Sequence, residues 1–243
     1  RELLVRDWLD STSEKVGEVF KKQPAVEAEL QTTLGYSYLA LGQNEQARNH
    51  LARARELYEA VRGPDHPKTL NTIDGLTMLA LERDRLDEAE ANLRTLLAIR
   101  REKLGPDSID ARKTEEGLAV VLKRRGKMAE AETLYLETLE AKRRQHGDVH
   151  DDVLRTQNNL SKLYLAWGRP RQAVDLLQKT IAVMAGHPEL DLTGTLDSRR
   201  FVAECYIDMG RLDEAEAVCL ELEPEQLEVF GPTHTRTFHL MET

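Results

Sequence analysis

A period of 42 residues runs through most of this 243-residue chain. Stepping back from Ala215 by that interval meets Ala173, Ala131, Ala89 and Ala47, five alanines in one register. Thirteen positions before each alanine stands a branched apolar residue, Leu34, Leu76, Leu118, Leu160 or Val202. A short one follows it: Gly35, Thr77, Ala119, Ser161 or Ala203. Nine positions before the alanine stand Tyr38, Ala80, Leu122, Tyr164 and Tyr206. Copies this short cannot each close a core of their own, so each must bury its apolar face on its neighbours.

Within one copy the branched residue and the residue four positions on share a helical face, and the short side chain lets a second helix approach closely. This marks a helix A. It ends at Gly42, Asp84, Gly126, Gly168 or Gly210, after which Asn44, Asp87 or Asp213 is expected to cap a helix B. Pro170 suits a first-turn position. Helix B is expected to bury its alanine and the residue four on: Leu51, Leu93, Tyr135, Leu177 or Cys219. Basic residues such as Arg100, Arg101, Lys103, Lys142, Arg143 and Arg144 gather near its carbonyl end, where cations suit the helix dipole. With only 14 Gly and 8 Pro, and apolar residues that are mostly Leu and Ala, the composition favours helix over strand. The predicted fold is all-α, a right-handed α-solenoid of about five helical hairpins with an extra N-terminal helix.

Residues 1–22 lack the repeat columns and are expected to form a capping helix with Leu3, Leu4, Trp8, Val16, Val19 and Phe20 on its apolar side. The array then spans 23–243, with copies at about 23–65, 66–107, 108–149, 150–191 and 192–233 and the start of a sixth from His234. Linkers begin at Gly63, Gly105, Gly147 and Gly231; in the fourth copy the glycine moves three residues early, to Gly186. Pro224 falls inside a helix B, where it is expected to break or kink the helix.

The net charge is −9, all of it matched by the excess in residues 187–243, while 105–186 carries +2. An acidic chain without a strongly basic segment is not expected to bind nucleic acid. No apolar run approaches the ~20 residues of a membrane span, and no basic-then-apolar leader opens the sequence, so membrane insertion is not expected. Two cysteines, Cys205 and Cys219, are too few for a disulfide scaffold and predict free thiols in a reducing, cytoplasmic setting.

Leu34-Gly35-Tyr36-Ser37-Tyr38 with Ala47 resembles the tetratricopeptide repeat, in which a Leu-Gly-x-x-Tyr stretch on helix A meets an alanine near the start of helix B. The copy length, the Gly63-Pro64-Asp65-His66-Pro67 linker and Asn158-Asn159-Leu160 resemble the kinesin-light-chain variant of that repeat. The opening stretch, through Gln23-Pro24-Ala25-Val26 and Thr33-Leu34-Gly35, is similar to the start of the repeat tails of bacterial serine/threonine kinases. These resemblances imply a protein-binding scaffold in a bacterial signalling protein, with any kinase domain outside this chain. In the kinesin type an asparagine on each helix A holds the bound peptide's backbone. The matching column here reads Thr32, Asp74, Glu116, Asn158 and Arg200, so that role carries over to Asn158 alone.

No phosphate loop, His-Glu-x-x-His, Cys-x-x-Cys or Gly-x-Ser-x-Gly occurs, so the chain is not expected to be an enzyme, and neither a cofactor nor a metal is expected. His66, His150 and His234 stand 84 residues apart on loops that do not converge and read as loop caps. Asp148, Asp151 and Asp152 likewise read as loop and cap residues, and Tyr38, Tyr164, Tyr206 and Trp167 as packing. The concave side of helix A is expected to present Thr32, Tyr36 and Leu39; Asp74, Met78 and Leu81; Glu116, Val120 and Lys123; Asn158, Lys162 and Leu165; Arg200, Glu204 and Ile207. Adding Asn71, Lys113, Arg124 and Arg155 gives a candidate partner groove of Asn71, Asp74, Lys113, Glu116, Lys123, Arg124, Arg155, Asn158, Lys162 and Arg200, basic toward its later copies. Its expected occupant is a protein or peptide, preferably acidic with apolar anchors, or another part of a larger chain. A sensor pocket for a small molecule and a bare structural spacer are the alternatives.

Overall fold

A computed structural model of the chain describes residues 2–187 and 192–230. The Gly231 linker, His234 and the expected sixth copy lie outside the described residues, as do the side chains of Leu3 and Leu4. Among the described residues there are eleven α-helices and no strand. They fall into two compact units, Arg1–Val121 and Leu122–Thr243.

The first unit contains α1 (Glu2–Val19), α2 (Pro24–Ala40), α3 (Asn44–Arg62), α4 (Pro67–Glu82), α5 (Leu86–Leu104) and most of α6 (Ile109–Arg124). Leu34, Tyr38, Ala47, Leu51, Leu76 and Leu79 form one core cluster, completed by Leu9 and Val16 of α1. The repeat columns are therefore the core columns. Leu51 fills the space that Gly35 and Gly75 leave open. A Cβ on Gly35 would stand 2.7 Å from Leu51 Cγ, and one on Gly75 would stand 3.0 Å from Leu51 Cδ1. A side chain at Gly35 would force Leu51 to shift, and one at Gly75 would crowd Leu51 and Tyr36, so the two glycines permit the close approach of α2 and α4 to α3.

Helix α1 shows Leu9 and Val16 to the core, with Phe20 packed beside them, whereas Trp8 and Val19 are 65% and 64% exposed. Positions 9, 16 and 20 follow the helical period; Trp8 and Val19 fall off that stripe, contrary to the expected apolar side. Polar bonds add to the docking. Tyr38 OH donates to Asp10 Oδ1 at 2.7 Å, and Ser13 Oγ lies 2.9 Å from His50 Nε2, whose Nδ1 lies 2.6 Å from Gln31 Oε1. Burial holds the His50 imidazole below its ordinary range, which favours the neutral ring this network uses.

The second unit contains the end of α6, then α7 (Met128–His146), α8 (Asp151–Ala166), α9 (Pro170–Ala185), α10 (Leu192–Asp208) and α11 (Leu212–Phe230). Ala131, Tyr135, Leu160, Tyr164, Ala173, Leu177 and Val202 are all buried in it. Helix α11 runs on through Pro224, so the expected break does not occur. The proline removes one backbone donor, and neighbouring turns keep the helix.

In both units each A-to-B turn uses a left-handed residue: Gly42, Asp84, Gly126, Gly168 or Gly210, with φ between 55° and 76°. The next residue's N–H reaches back to the carbonyl five positions earlier, as Gln43 to Tyr38 and Arg169 to Tyr164, at 2.8 to 2.9 Å. This bond seats helix B so early that Asn44 is its first residue and Asp87 lies inside its first turn. Neither is the N-cap, and the residues that are, Gln43 and Arg85, make no side-chain cap bond. The linkers do cap helix A. His66 Nδ1 accepts from Lys68 N–H, and His150 Nδ1 from Asp152 N–H, both at 3.2 Å.

Candidate functional site

Four of the expected groove residues belong to the first unit. Asn71 and Lys113 are exposed, and the Asn71 carbonyl accepts from Tyr36 OH at 3.1 Å. Asp74 is held by Arg100 at 2.6 Å, and Glu116 is partly buried. Burial pushes the Tyr36 phenol up from its usual range, and Asp74 pushes the same way. At equivalent positions of α2, α4 and α6 stand Tyr36, Met78 and Val120, 39%, 44% and 37% exposed. This face of the first unit is an apolar row edged with polar groups.

The six others belong to the second unit, where the geometry is richer. Asp151, Leu154, Arg155, Asn158, Asn159 and Lys162 of α8, Met184 of α9, and Gly194, Asp197 and Phe201 of α10 line a cleft of about 400 Å³. Arg155, Asn158 and Lys162 of the expected set thus share one wall. Lys162 Nζ sits 4.3 Å from the centroid of the Phe201 ring, and the Arg200 guanidinium lies 4.6 Å from the same ring. Lys123 and Arg124 come from the last turn of α6, Lys123 partly buried and Arg124 exposed.

The basic residues do not all stand unopposed. Arg155 pairs with Asp152 and Arg200 with Glu204, one helical turn apart or less. Asn158 Oδ1 lies 2.9 Å from Ser198 Oγ, which also reaches the Gly194 carbonyl at 2.8 Å, and this contact ties α8 to α10. Asp151 and Asp197 put acid into the lining. Burial pushes the Lys162 amine below its ordinary range; Asp197 and Glu204 oppose that shift, while Lys123 and Arg200 reinforce it. The Lys123 amine is lowered by burial alone. Both amines are partly withdrawn from water; at Lys162, on the cleft wall, Asp197 and Glu204 offset part of that cost and an anion in the cleft would offset more.

A depressed lysine carries a stability cost that can be measured. Below its folded pKa the ammonium is buried at a penalty. Between that value and the ordinary 10.5 the unfolded chain holds the extra proton, so stability rises with pH. Lys162→Met should therefore raise the melting temperature at neutral pH by up to roughly 2–4 °C, about 1 kcal/mol for a half-exposed charge. The gain should shrink as the pH climbs toward 10.5. A melting temperature that falls on substitution at every pH would contradict the assigned environment.

The lining residues absent from the sequence-level set are Asp151, Leu154, Asn159, Met184, Gly194, Asp197 and Phe201. Phe201 left a trace: its column otherwise reads Thr33, Gly75, Gly117 and Asn159, so it is the one large apolar residue there. Cys205 is buried, and its thiol is pushed up to about 12 by that burial, with Glu204 and Asp208 adding to it, which leaves it unreactive. Trp167 and Tyr206 stack under Arg169 and Arg211. Among the described residues no helix is long and apolar enough to cross a membrane.

Comparison with known proteins bears on the whole arrangement. No curated protein matches the sequence. Among solved structures, nearly identical TPR-like repeats described as a kinesin light chain of Podosopora anserina are similar over 83% of this chain and 96% of that one, with TM-score 0.71 and 22% identity. BtubC (BKLC) from P. vanneervenii is similar over 95% of this chain and 93% of its own, with TM-score 0.66 and 20% identity. A Rap protein complexed with Competence and Sporulation Factor is similar over 92% of this chain and 59% of that one, with TM-score 0.59 and 14% identity. At such identities the likeness is one of fold, an α-solenoid of helical hairpins. Residues 26–108 and 110–185 match the family model for the tetratricopeptide repeat, and they carry the buried columns of the first four copies and the left-handed turns at Gly42, Asp84, Gly126 and Gly168. The chain belongs to the tetratricopeptide-repeat family.

Proposed function

We propose that the chain is a non-catalytic protein-interaction module whose second unit takes an extended peptide or a helix of a partner in the α8–α10 cleft. One observation carries this reading: a half-buried Lys162 ammonium lies against the Phe201 ring in a cleft that also offers Leu154, Met184 and amide groups. Such a wall suits an apolar side chain flanked by an acidic one. The apolar group covers Phe201 and Met184, and the carboxylate meets Lys162 and Lys123. Asn158, the position that matches the kinesin-type asparagine, lies on the same wall, where its side-chain amide would meet a peptide backbone. Asp151 and Asp197 set the limit: a uniformly acidic ligand meets repulsion at the rim, so charge must fall next to the anchor. The Rap neighbour, complexed with Competence and Sporulation Factor, supports the reading by analogy of fold.

The similarity of residues 1–35 to kinase repeat tails supports a place in a larger bacterial signalling protein, and a content of two cysteines in 243 residues supports a cytoplasmic one. A labelled peptide of alternating Leu and Glu, titrated by fluorescence anisotropy, should bind with a dissociation constant on the order of micromolar, about −8 kcal/mol, and weaken with salt. A scrambled peptide of Lys and Leu should not bind. Equal binding of both, or of neither, rejects the reading. The sensor alternative would instead show as thermal stabilisation by metabolites or nucleotides.

A further inference from the structure

The charges that line the α8–α10 cleft are ordered along it. Helix α8 places Asp151 in its first turn and Lys162 about three turns on, so the carboxylate and the ammonium stand about 16 Å apart along the helix axis. Helix α10 runs beside it in the same direction, since Asn158 meets Ser198 and, further along both helices, Lys162 meets Phe201. Between the two ends lie Arg155 and Asp197. Arg155 is taken up by Asp152, and Lys162 sits over the Phe201 ring, a contact that favours its ammonium form. Among the described residues neither Asp151 nor Lys162 makes an ion pair. We propose that the cleft selects a dipolar segment of a partner protein: a carboxylate at Lys162, an apolar side chain over Phe201 and Met184, and a lysine or arginine at Asp151, about five residues of extended chain from the carboxylate.

The proposal rests on the docking reading above and adds to it the cation and the spacing. A ligand carboxylate at the first turn of α8 meets Asp151, with Asp152 next to it in sequence, and is repelled, whereas an ammonium or guanidinium there is attracted. At Lys162 the preference is reversed. A ligand with one charge of each sign therefore matches both ends in one placement only, and a ligand with acid throughout matches one end alone. The apolar side chains between the ends fix the register. Gly194 leaves room for a ligand backbone beside Leu154 and Met184, because it brings no side chain to the cleft; its column reads Val26, Lys68, Asp110 and Asp152 in the earlier copies. Asp151 also suits the positive end of the α8 dipole, but that role bears on the stability of the helix and does not rank ligands.

The test is isothermal titration calorimetry of the full chain at low salt with end-capped peptides. The dipolar peptide is Lys-Ser-Leu-Ser-Leu-Glu, used in both chain directions. Its isomer Leu-Ser-Leu-Ser-Lys-Glu has the same composition with the charges adjacent, and Glu-Ser-Leu-Ser-Leu-Glu carries acid at both ends. The better direction of the dipolar peptide should bind about threefold to tenfold tighter than either comparison. Asp151→Lys, checked for native circular dichroism, should invert the order of the dipolar and doubly acidic peptides. Asp151→Asn should narrow their difference to about twofold or less. Asp7→Lys, at an exposed site of α1, should leave it intact. An order unmoved by both Asp151 variants, or equal binding of the dipolar peptide and its isomer, overturns the proposal. Binding of all three peptides without preference does so while the docking reading stands, and binding of none rejects both.

Discussion

Leu51→Ala is expected to destabilise the first unit by about 2–5 kcal/mol, the lost burial plus the cavity its branch leaves behind. The side chain is fully buried and reaches three helices at once: its own α3, Gly35 of α2 and Gly75 of α4. Both glycines belong to helices whose approach is set by the leucine, and the rest of the cluster is close-packed side chain, so the vacated volume closes only in part. A urea titration followed by helical circular dichroism should show an earlier transition for the first unit. Repeat arrays unfold in nearest-neighbour steps, so amide exchange in α2 to α4 is the sharper probe. Leu41→Ala, at a site 37% exposed, is the control and should cost within about 0.5 kcal/mol. A Leu51→Ala cost as small as the control's would mean that the repeat column is not what holds the hairpins together.

Reversing Lys123, Arg124 and Lys162 to Glu should abolish capture of an acidic peptide at low salt, weakening it by at least about 30-fold, since turning attraction of a ligand carboxylate into repulsion costs roughly 2 kcal/mol or more. Arg124 is exposed and Lys123 and Lys162 are partly buried, so native helical circular dichroism of the variant is the condition for reading its titration. The same reversal at Lys15, Lys21 and Lys22, all exposed at the N-terminal end, should leave capture unchanged. Unaltered capture by the cleft variant would move the binding site elsewhere.

The fold was written in the sequence because a repeating core needs only burial at fixed intervals. Leu34, Leu76, Leu118, Leu160 and Val202 are each buried, as are the five alanines that follow them. The left-handed turns were legible too, since only glycine, or an aspartate such as Asp84, sits there easily. Three features were not legible. Asn44 and Asp87 looked like caps, but the hydrogen bond that closes each turn starts helix B before them. Pro224 looked like a break, but a helix already packed at Leu222 tolerates one missing donor. Ion pairs escaped for a different reason. Arg100 meets Asp74 and Arg101 meets Glu115 because long side chains on neighbouring helices happen to reach, at separations no period prescribes.

For the cleft, the sequence offered one wall and missed the other. Asn158, Lys162 and Arg155 follow from the helix A register. Met184 comes from the end of α9 and Gly194 from the first turn of α10, flanking the linker that departs from the repeat, so no column predicts them. Arg155 and Arg200 looked like free cations in a list of residues. In space each is matched by a carboxylate of its own helix, and the available charge narrows to Lys162 and Lys123.

The most direct measurement is backbone amide chemical-shift mapping of the full chain as the Leu/Glu peptide is added. The docking account requires saturable shifts that centre on Asn158, Asn159, Lys162 and Phe201, that disappear in the Lys123, Arg124 and Lys162 reversal, and that leave the outward face of α11 unmoved. Shifts confined to other helices, or scattered without saturation over the surface, would contradict it.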